Sequence, residues 1–214
     1  MTSWTTRRRV LVRAGTAALV GTPALAWMAR LHAAGSLRPT PSQSEGPFYP
    51  VEIPADSDAD LLRNGALVYS QGVDTWVEGR VSDVAGVAVK GAVVEIWQSD
   101  HNGHYHHPGD GNQADKAFQG FGRSTVQADG TYRFHTLRPV GYAARAPHIH
   151  VKVRLDRREL LTTQLYVAGE AQNARDSLLS ALRDPADRAA LTVRFAAPRA
   201  GEPLKAWFPI VVAA

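Results

Sequence analysis

The 214-residue chain contains no cysteine. That excludes disulfides and every thiolate metal site, zinc fingers and iron–sulfur clusters included. No acidic residue occurs before Glu45. A clean apolar run long enough to cross a bilayer is missing too, since Arg13 interrupts the mildly apolar stretch that runs to about Met28. There is no internal repeat and no low-complexity tract. With 21% charged and 44% hydrophobic residues, the composition points neither to disorder nor to a membrane bundle. The length suits one ordinary domain, or slightly more, with a real core.

The basic excess is local. Five of the 24 basic residues (Arg7, Arg8, Arg9, Arg13 and Arg30) lie in residues 1–35, leaving 19 basic against 20 acidic groups beyond them, net −1. The whole-chain pI of about 9.6 therefore reflects this segment and not a nucleic-acid surface. Thr6-Arg7-Arg8-Arg9-Val10-Leu11, the Ala- and Gly-rich stretch after it, and Ala24-Leu25-Ala26 together read as a secretory signal. The arginines followed by two apolar residues look like a twin-arginine signal, which predicts export to the periplasm or beyond. That route carries proteins already folded, often around a cofactor. A basic tail or a membrane anchor is the competing reading.

Residues 36–74 read as an extended N-terminal arm, rich in Pro, Ser and Gly from Ser36 to Pro50. Residues 75–214 read as the main domain. Strands are predicted at Thr75–Val81, Ala92–Trp97, Gly122–Val126, Thr131–Phe134, His148–Leu155, Leu161–Val167, Leu191–Phe195 and Ala206–Val212. Ala128-Asp129-Gly130 predicts a hairpin between two of them. Leu178, Leu179 and Leu182 predict one short helix within 174–183. The expected fold class is all-β, an antiparallel β-sandwich.

The most informative stretch is Arg145-Ala146-Pro147-His148-Ile149-His150-Val151-Lys152-Val153. Alternation on a strand puts His148 and His150 on one face and Ile149, Val151 and Val153 on the other. Two imidazoles side by side on a rigid element could share a metal ion, or could merely be polar residues on a wet face. Further candidates are the loop Asp100-His101-Asn102-Gly103-His104-Tyr105-His106-His107, the loop Arg138–Tyr142, and Thr163-Gln164-Leu165-Tyr166. No acid follows the doublet closely, which argues against a two-His-one-carboxylate iron(II) site. Trp76 and Trp97 are expected in the core.

Several of these segments carry a resemblance. Thr40-Pro41-Ser42-Gln43-Ser44-Glu45-Gly46-Pro47-Phe48-Tyr49, Glu95-Ile96-Trp97-Gln98 leading to Gly103-His104-Tyr105, the Arg145–His150 run and Thr163–Tyr166 occur in that order. They resemble the intradiol ring-cleavage dioxygenases, non-haem iron(III) enzymes that open catechols between the two hydroxylated carbons. The resemblance covers roughly residues 40–170 and implies a transthyretin-like β-sandwich. It implies Fe(III) held by Tyr105, Tyr142, His148 and His150, with Arg145 lying over the substrate ring and Gln164 in the same pocket. Tyr142 would leave the iron as a catechol chelates it, and dioxygen would turn the ring into a muconate-type diacid. The substrate partners implied are a catecholic small molecule and dioxygen, and a homo-oligomer is compatible with this. The segment from Tyr142 to His148 is shorter than in protocatechuate enzymes, which leaves the substrate open. Two other readings of these residues stand beside it: a secreted, non-catalytic β-sandwich binding module, and a copper or zinc protein using the same histidines.

Overall fold

The computed structural model describes Met1 and residues 36–213, so the signal predicted over residues 1–35 lies outside the described residues apart from Met1. Along the described chain, β1 (Arg63–Asn64) and β2 (Leu67–Val68) precede β3 (Asp74–Asp83), β4 (Val93–Trp97), β5 (Phe121–Thr125) and β6 (Thr131–Leu137). Then come β7 (His148–Leu155), β8 (Arg158–Val167) and the helices α1 (Ser177–Ala181) and α2 (Pro185–Leu191). Short strands β9 (Thr192–Val193), β10 (Phe195–Ala196), β11 (Leu204–Trp207) and β12 (Ile210–Val212) close the domain.

One five-stranded sheet runs β10-β11-β3-β12 with β6 on β3, and the other runs β5-β4-β7-β8-β9. Period-two alternation decides which side chains meet. Ile149, Val151 and Val153 of β7 and Val94 and Ile96 of β4 join Val77 and Val81 of β3 and Phe134 of β6 in one buried cluster. Burying each such side chain contributes roughly 1.5–3 kcal/mol. The opposite face of β7 carries His148, His150 and Lys152, and these are buried as well.

The arm covers that opposite face. The Gln43 amide donates to the Thr162 carbonyl, the Thr40 amide to the Val211 carbonyl, and Thr163 Oγ1 to the Pro41 carbonyl at 2.6 Å. Arm residues Phe48 and Tyr49 pack against Trp97, Tyr105 and Phe121 in a second, smaller apolar cluster. The imidazoles therefore sit beneath the arm, on the outside of a sheet, and not between the two sheets.

Four expectations need correction. The sheets are mixed and not purely antiparallel, because β11 and β12 pair with β3, and β9 with β8, in parallel. Two helices stand where one was expected. Asp184 caps α2 by accepting the Ala186 amide and Pro185 opens it, while the same proline disfavours helix at the residue before it. The Asp129-Gly130 turn forms, with Gly130 at φ +89°, but it joins no hairpin. Strand β5 pairs with β4 and β6 with β3, so the turn is a corner between sheets. Trp76 lies on the outer face of its sheet, stacked on His135 at 4.3 Å with the Arg133 guanidinium 3.4 Å from its centroid.

Gly79 of β3 pairs with Tyr132 of β6 and lies between the stretches of β3 that pair with β11 and β12; a Cβ there would lie 2.0 Å from the Phe208 carbonyl oxygen and 2.6 Å from the Tyr132 hydroxyl. Neither can give way easily, since Tyr132 itself donates to that carbonyl. Gly79→Ala is expected to cost about 3 kcal/mol or more, read by urea denaturation; a change below about 1 kcal/mol would show that β3 can shift.

Candidate metal centre and catalytic site

Register across the sheet sets the first layer of the site. Trp97 of β4, His150 of β7 and Gln164 of β8 stand side by side, and His148 faces Tyr166 one step along. The two Nε2 atoms lie 3.2 Å apart. Two nitrogens bound at right angles to one ion, each about 2.1 Å from it, would be separated by about 3 Å.

The tyrosines come from two loops. After β4 the chain turns around buried Asp100, whose carboxylate accepts the amides of Asn102, His104 and Asp115. This brings Tyr105 inward, where Phe48 stacks on it at 4.6 Å. Tyr142 sits before β7 in a tight turn closed by the Arg145 amide on the Tyr142 carbonyl, with Ala143 at φ +48°. That non-glycine residue in the left-handed region marks a local strain. Gly103, at φ +86°, lets the loops approach, since a Cβ there would be 3.2 Å from Tyr142 Cβ. Ring centroids are 5.3 Å apart for Tyr105–Tyr142, 5.4 Å for Tyr142–His148 and 6.3 Å for Tyr105–His150. The structure brings all four predicted ligands together.

The donor set fits a metal of high charge. His148 Nδ1 donates to the Ala146 carbonyl at 2.7 Å, which fixes the tautomer and leaves Nε2 as a bare lone pair. Burial, with the nearby Arg145 charge, pushes the His148 pKa down to about 4. Burial and the neighbouring His148 hold His150 well below its ordinary range. Both rings are thus neutral, as ligands must be. Tyr105 Oη is buried without a hydrogen-bond partner. Burial, then the adjacent Tyr142, pushes its phenol well above the ordinary range, and burial also raises Tyr142. Only a cation at the phenol oxygens would reverse that and make them phenolates. Among the described residues, no group of three or more His, Cys, Asp or Glu side chains could hold a metal, and the phenols of Tyr105 and Tyr142 stand beside the doublet as further donors.

Arg145 and Gln164 form one unit. An Arg145 Nη donates to Gln164 Oε1 at 2.5 Å and to the Tyr166 hydroxyl at 3.1 Å, while Gln164 Nε2 donates to the Ser44 carbonyl. Asp176, missed by sequence reasoning, is fully buried behind them. It accepts Arg145 Nε at 2.8 Å and the amides of Ala146, Leu178 and Leu179, so one carboxylate caps α1 and aims the guanidinium. Burial works against its charge, but these hydrogen bonds keep its pKa below the ordinary value. Asp176-Ser177-Leu178-Leu179 is a readable helix start; its link to Arg145 spans 31 residues and is not. Trp97, expected in the core, is buried but stacks face to face on His150 at 4.8 Å and 9°.

The loop histidines take other partners. His106 Nε2 contacts the Phe118 carbonyl, His107 Nδ1 accepts the Gly109 amide, His104 lies 3.4 Å from Asp110, and His101 is exposed.

Comparison with known proteins identifies the family. The chain matches the family described as Dioxygenase over residues 44–204. It is 31% identical over 169 residues to the protocatechuate 3,4-dioxygenase alpha chain of Pseudomonas putida, covering 72% of this chain and 83% of that one. It is 29% identical over 163 residues to a hydroxyquinol 1,2-dioxygenase of Rhodococcus opacus, covering 68% of this chain and about half, 52%, of that relative. Among solved structures, the dioxygenase domain of a dioxygenase carbohydrate-binding protein fusion from Streptomyces sp. SirexAA-E matches with TM-score 0.63 and 32% identity, over 81% of this chain and 97% of that one. The chain belongs to the intradiol ring-cleavage dioxygenase family.

The His148 shift has a consequence for stability. With a folded value of about 4 against about 6.5 unfolded, the unfolded chain binds the extra proton between those limits. Stability of metal-free protein is expected to fall as pH drops from about 6.5 to about 4, by on the order of 3 kcal/mol from this group. A metal-free His148→Gln variant should show a shallower decline in melting temperature over that range. Equal slopes would refute the assignment.

Proposed function

We propose that the chain is an iron(III) dioxygenase that cleaves a catecholic ring between its two hydroxylated carbons, giving a muconate-type dicarboxylic acid that contains both atoms of dioxygen. The observation that carries this reading is the meeting of two buried imidazoles, their Nε2 atoms 3.2 Å apart, with the half-buried phenol of Tyr142 and the buried phenol of Tyr105, which lacks any hydrogen-bond partner, beside the Arg145–Gln164 pair. Tyr105, Tyr142, His148 and His150 would hold the ion. When bound, ferric iron supplies Lewis-acid activation of a chelated catecholate toward oxygen. The transthyretin-like sandwich and the exported location, the latter resting on the arginine-led segment at Arg7–Arg9, belong to the same proposal.

The chain's own groups do the remaining tasks. Tyr142 Oη, a phenolate only while it holds the ion, would take a hydroxyl proton from the catechol and become the neutral phenol that burial favours. Arg145, held by Asp176 and Gln164, presents a fixed positive charge where negative charge builds on the opening ring. Because Asp176 and Gln164 already fix its direction, little reorganisation accompanies reaction. Gln164 Oε1 accepts from both Arg145 and the Tyr166 hydroxyl, so its place in the wall is set from two sides. Phe48 and Trp97 keep the phenol and imidazole ligands dry.

Oxygen uptake by iron-loaded protein against catechol, protocatechuate and hydroxyquinol tests the reading. One equivalent of dioxygen per substrate, with a muconate-type product, is expected for at least one; no uptake with any would overturn it. The loaded protein should be coloured by phenolate-to-iron charge transfer, and Tyr142→Phe should remove part of that band. Arg145→Met should lower kcat/KM by about 10²–10³-fold with iron content unchanged.

A further inference from the structure

His148 and His150 are held in different ways. His148 is oriented by the hydrogen bond from its Nδ1 to the Ala146 carbonyl. His150 Nδ1 is buried with no partner. Metal-ligating histidines ordinarily owe their ring orientation to a hydrogen bond at the second nitrogen. His150 has instead two packing surfaces. Trp97 lies parallel to one face of the ring. On the arm, Gly46, at φ +76°, comes so near that a Cβ would sit 3.1 Å from His150 Cε1.

Both surfaces lead to one residue that the proposed chemistry leaves unused. Lys152, two positions along β7 on the same face, is 4% exposed. Its ammonium pairs with Glu45, the residue before Gly46, and lies 3.4 Å from Glu159. The ammonium also sits 4.0 Å from the Tyr49 ring centroid and 5.9 Å from that of Trp97. Tyr49 meets Trp97 edge to face at 4.9 Å, and its hydroxyl donates to buried Glu95 at 2.8 Å. A buried ammonium is costly unless paired, and here two carboxylates and an aromatic face compensate it. The charge therefore ties the arm down on one side of His150 and braces the Tyr49–Trp97 stack on the other.

We infer that Lys152 is a positioning residue for His150, replacing with an ion pair and a cation–π contact the hydrogen bond that this imidazole lacks at Nδ1. The inference rests on the reading of His150 as an iron ligand, but its test separates the two. In metal-free protein, imidazole nitrogen and proton resonances report each ring directly. Lys152→Met, close in length, should shift or broaden the His150 ring signals and leave those of His148 in place. Glu45→Gln, a milder change on the half-buried arm, should move the same signals in the same direction. Lys152→Arg should restore them. In competition with a chelator, Lys152→Met should bind ferric iron about 10-fold more weakly. Unchanged His150 signals in both variants would overturn the inference, as would equal disturbance of both histidines. If the wild-type protein takes up no iron, the functional reading fails while the ring signals still decide the role of Lys152.

Discussion

A strand at the centre of a sheet has two faces, and in β7 one of them carries Ile149, Val151 and Val153 while the other carries His148, His150 and Lys152. The first face is buried by the opposing sheet. The second must be buried by something else, because a dry, close-set pair of imidazoles cannot be kept on an open surface. The N-terminal arm and the loops after β4 and β6 meet that demand. They bring in phenols, a guanidinium and, in Glu45, a carboxylate for the Lys152 ammonium, groups whose polar ends each find a partner or await one. The rest of the site follows from having to cover that face.

Charges under the cover are few and each is tied to a stated partner. Asp176 is fully buried, yet it accepts four hydrogen bonds, and through them the start of α1, the entry to β7 and Arg145 are locked together. Losing one member of such a buried group leaves the others unpaired, which is why the arrangement is rigid. Rigidity of that kind suits a positive charge that has to be in place before negative charge develops. The phenols are the opposite case: burial holds their protons on, so their use as anions depends on a cation arriving.

The match to the intradiol family agrees with this physical picture, while the chain spans about half the length of one hydroxyquinol relative. The segment that leads from Tyr142 to His148 begins in a closed turn. Tyr142 and Arg145 close a tight turn, strained at Ala143, that sets a proposed ligand and the proposed charge stabiliser at a fixed spacing. A longer segment would uncouple them.

Period-two alternation and local turn chemistry made much legible in advance. The span His148–Leu155, the inward set of that strand, the turn at Asp129-Gly130 and a helix near residue 178 all follow from neighbours in sequence, as does the grouping of ligand types by resemblance. What joined them was decided in three dimensions. Whether β5 pairs with β6 or crosses to another sheet depends on competition with β4, and no local signal reports it. Trp76 and Trp97 look alike as aromatic strand residues, yet one lies on an outer face against Arg133 and the other stacks on an imidazole. Asp176 reads as an ordinary helix cap until α1 is set against Arg145. The sequence by itself determined which side chains share a face of a strand, since that follows from backbone geometry. Only the tertiary structure decided what covers the face, because contacts between residues 45, 97, 142, 152 and 176 depend on packing distant segments together.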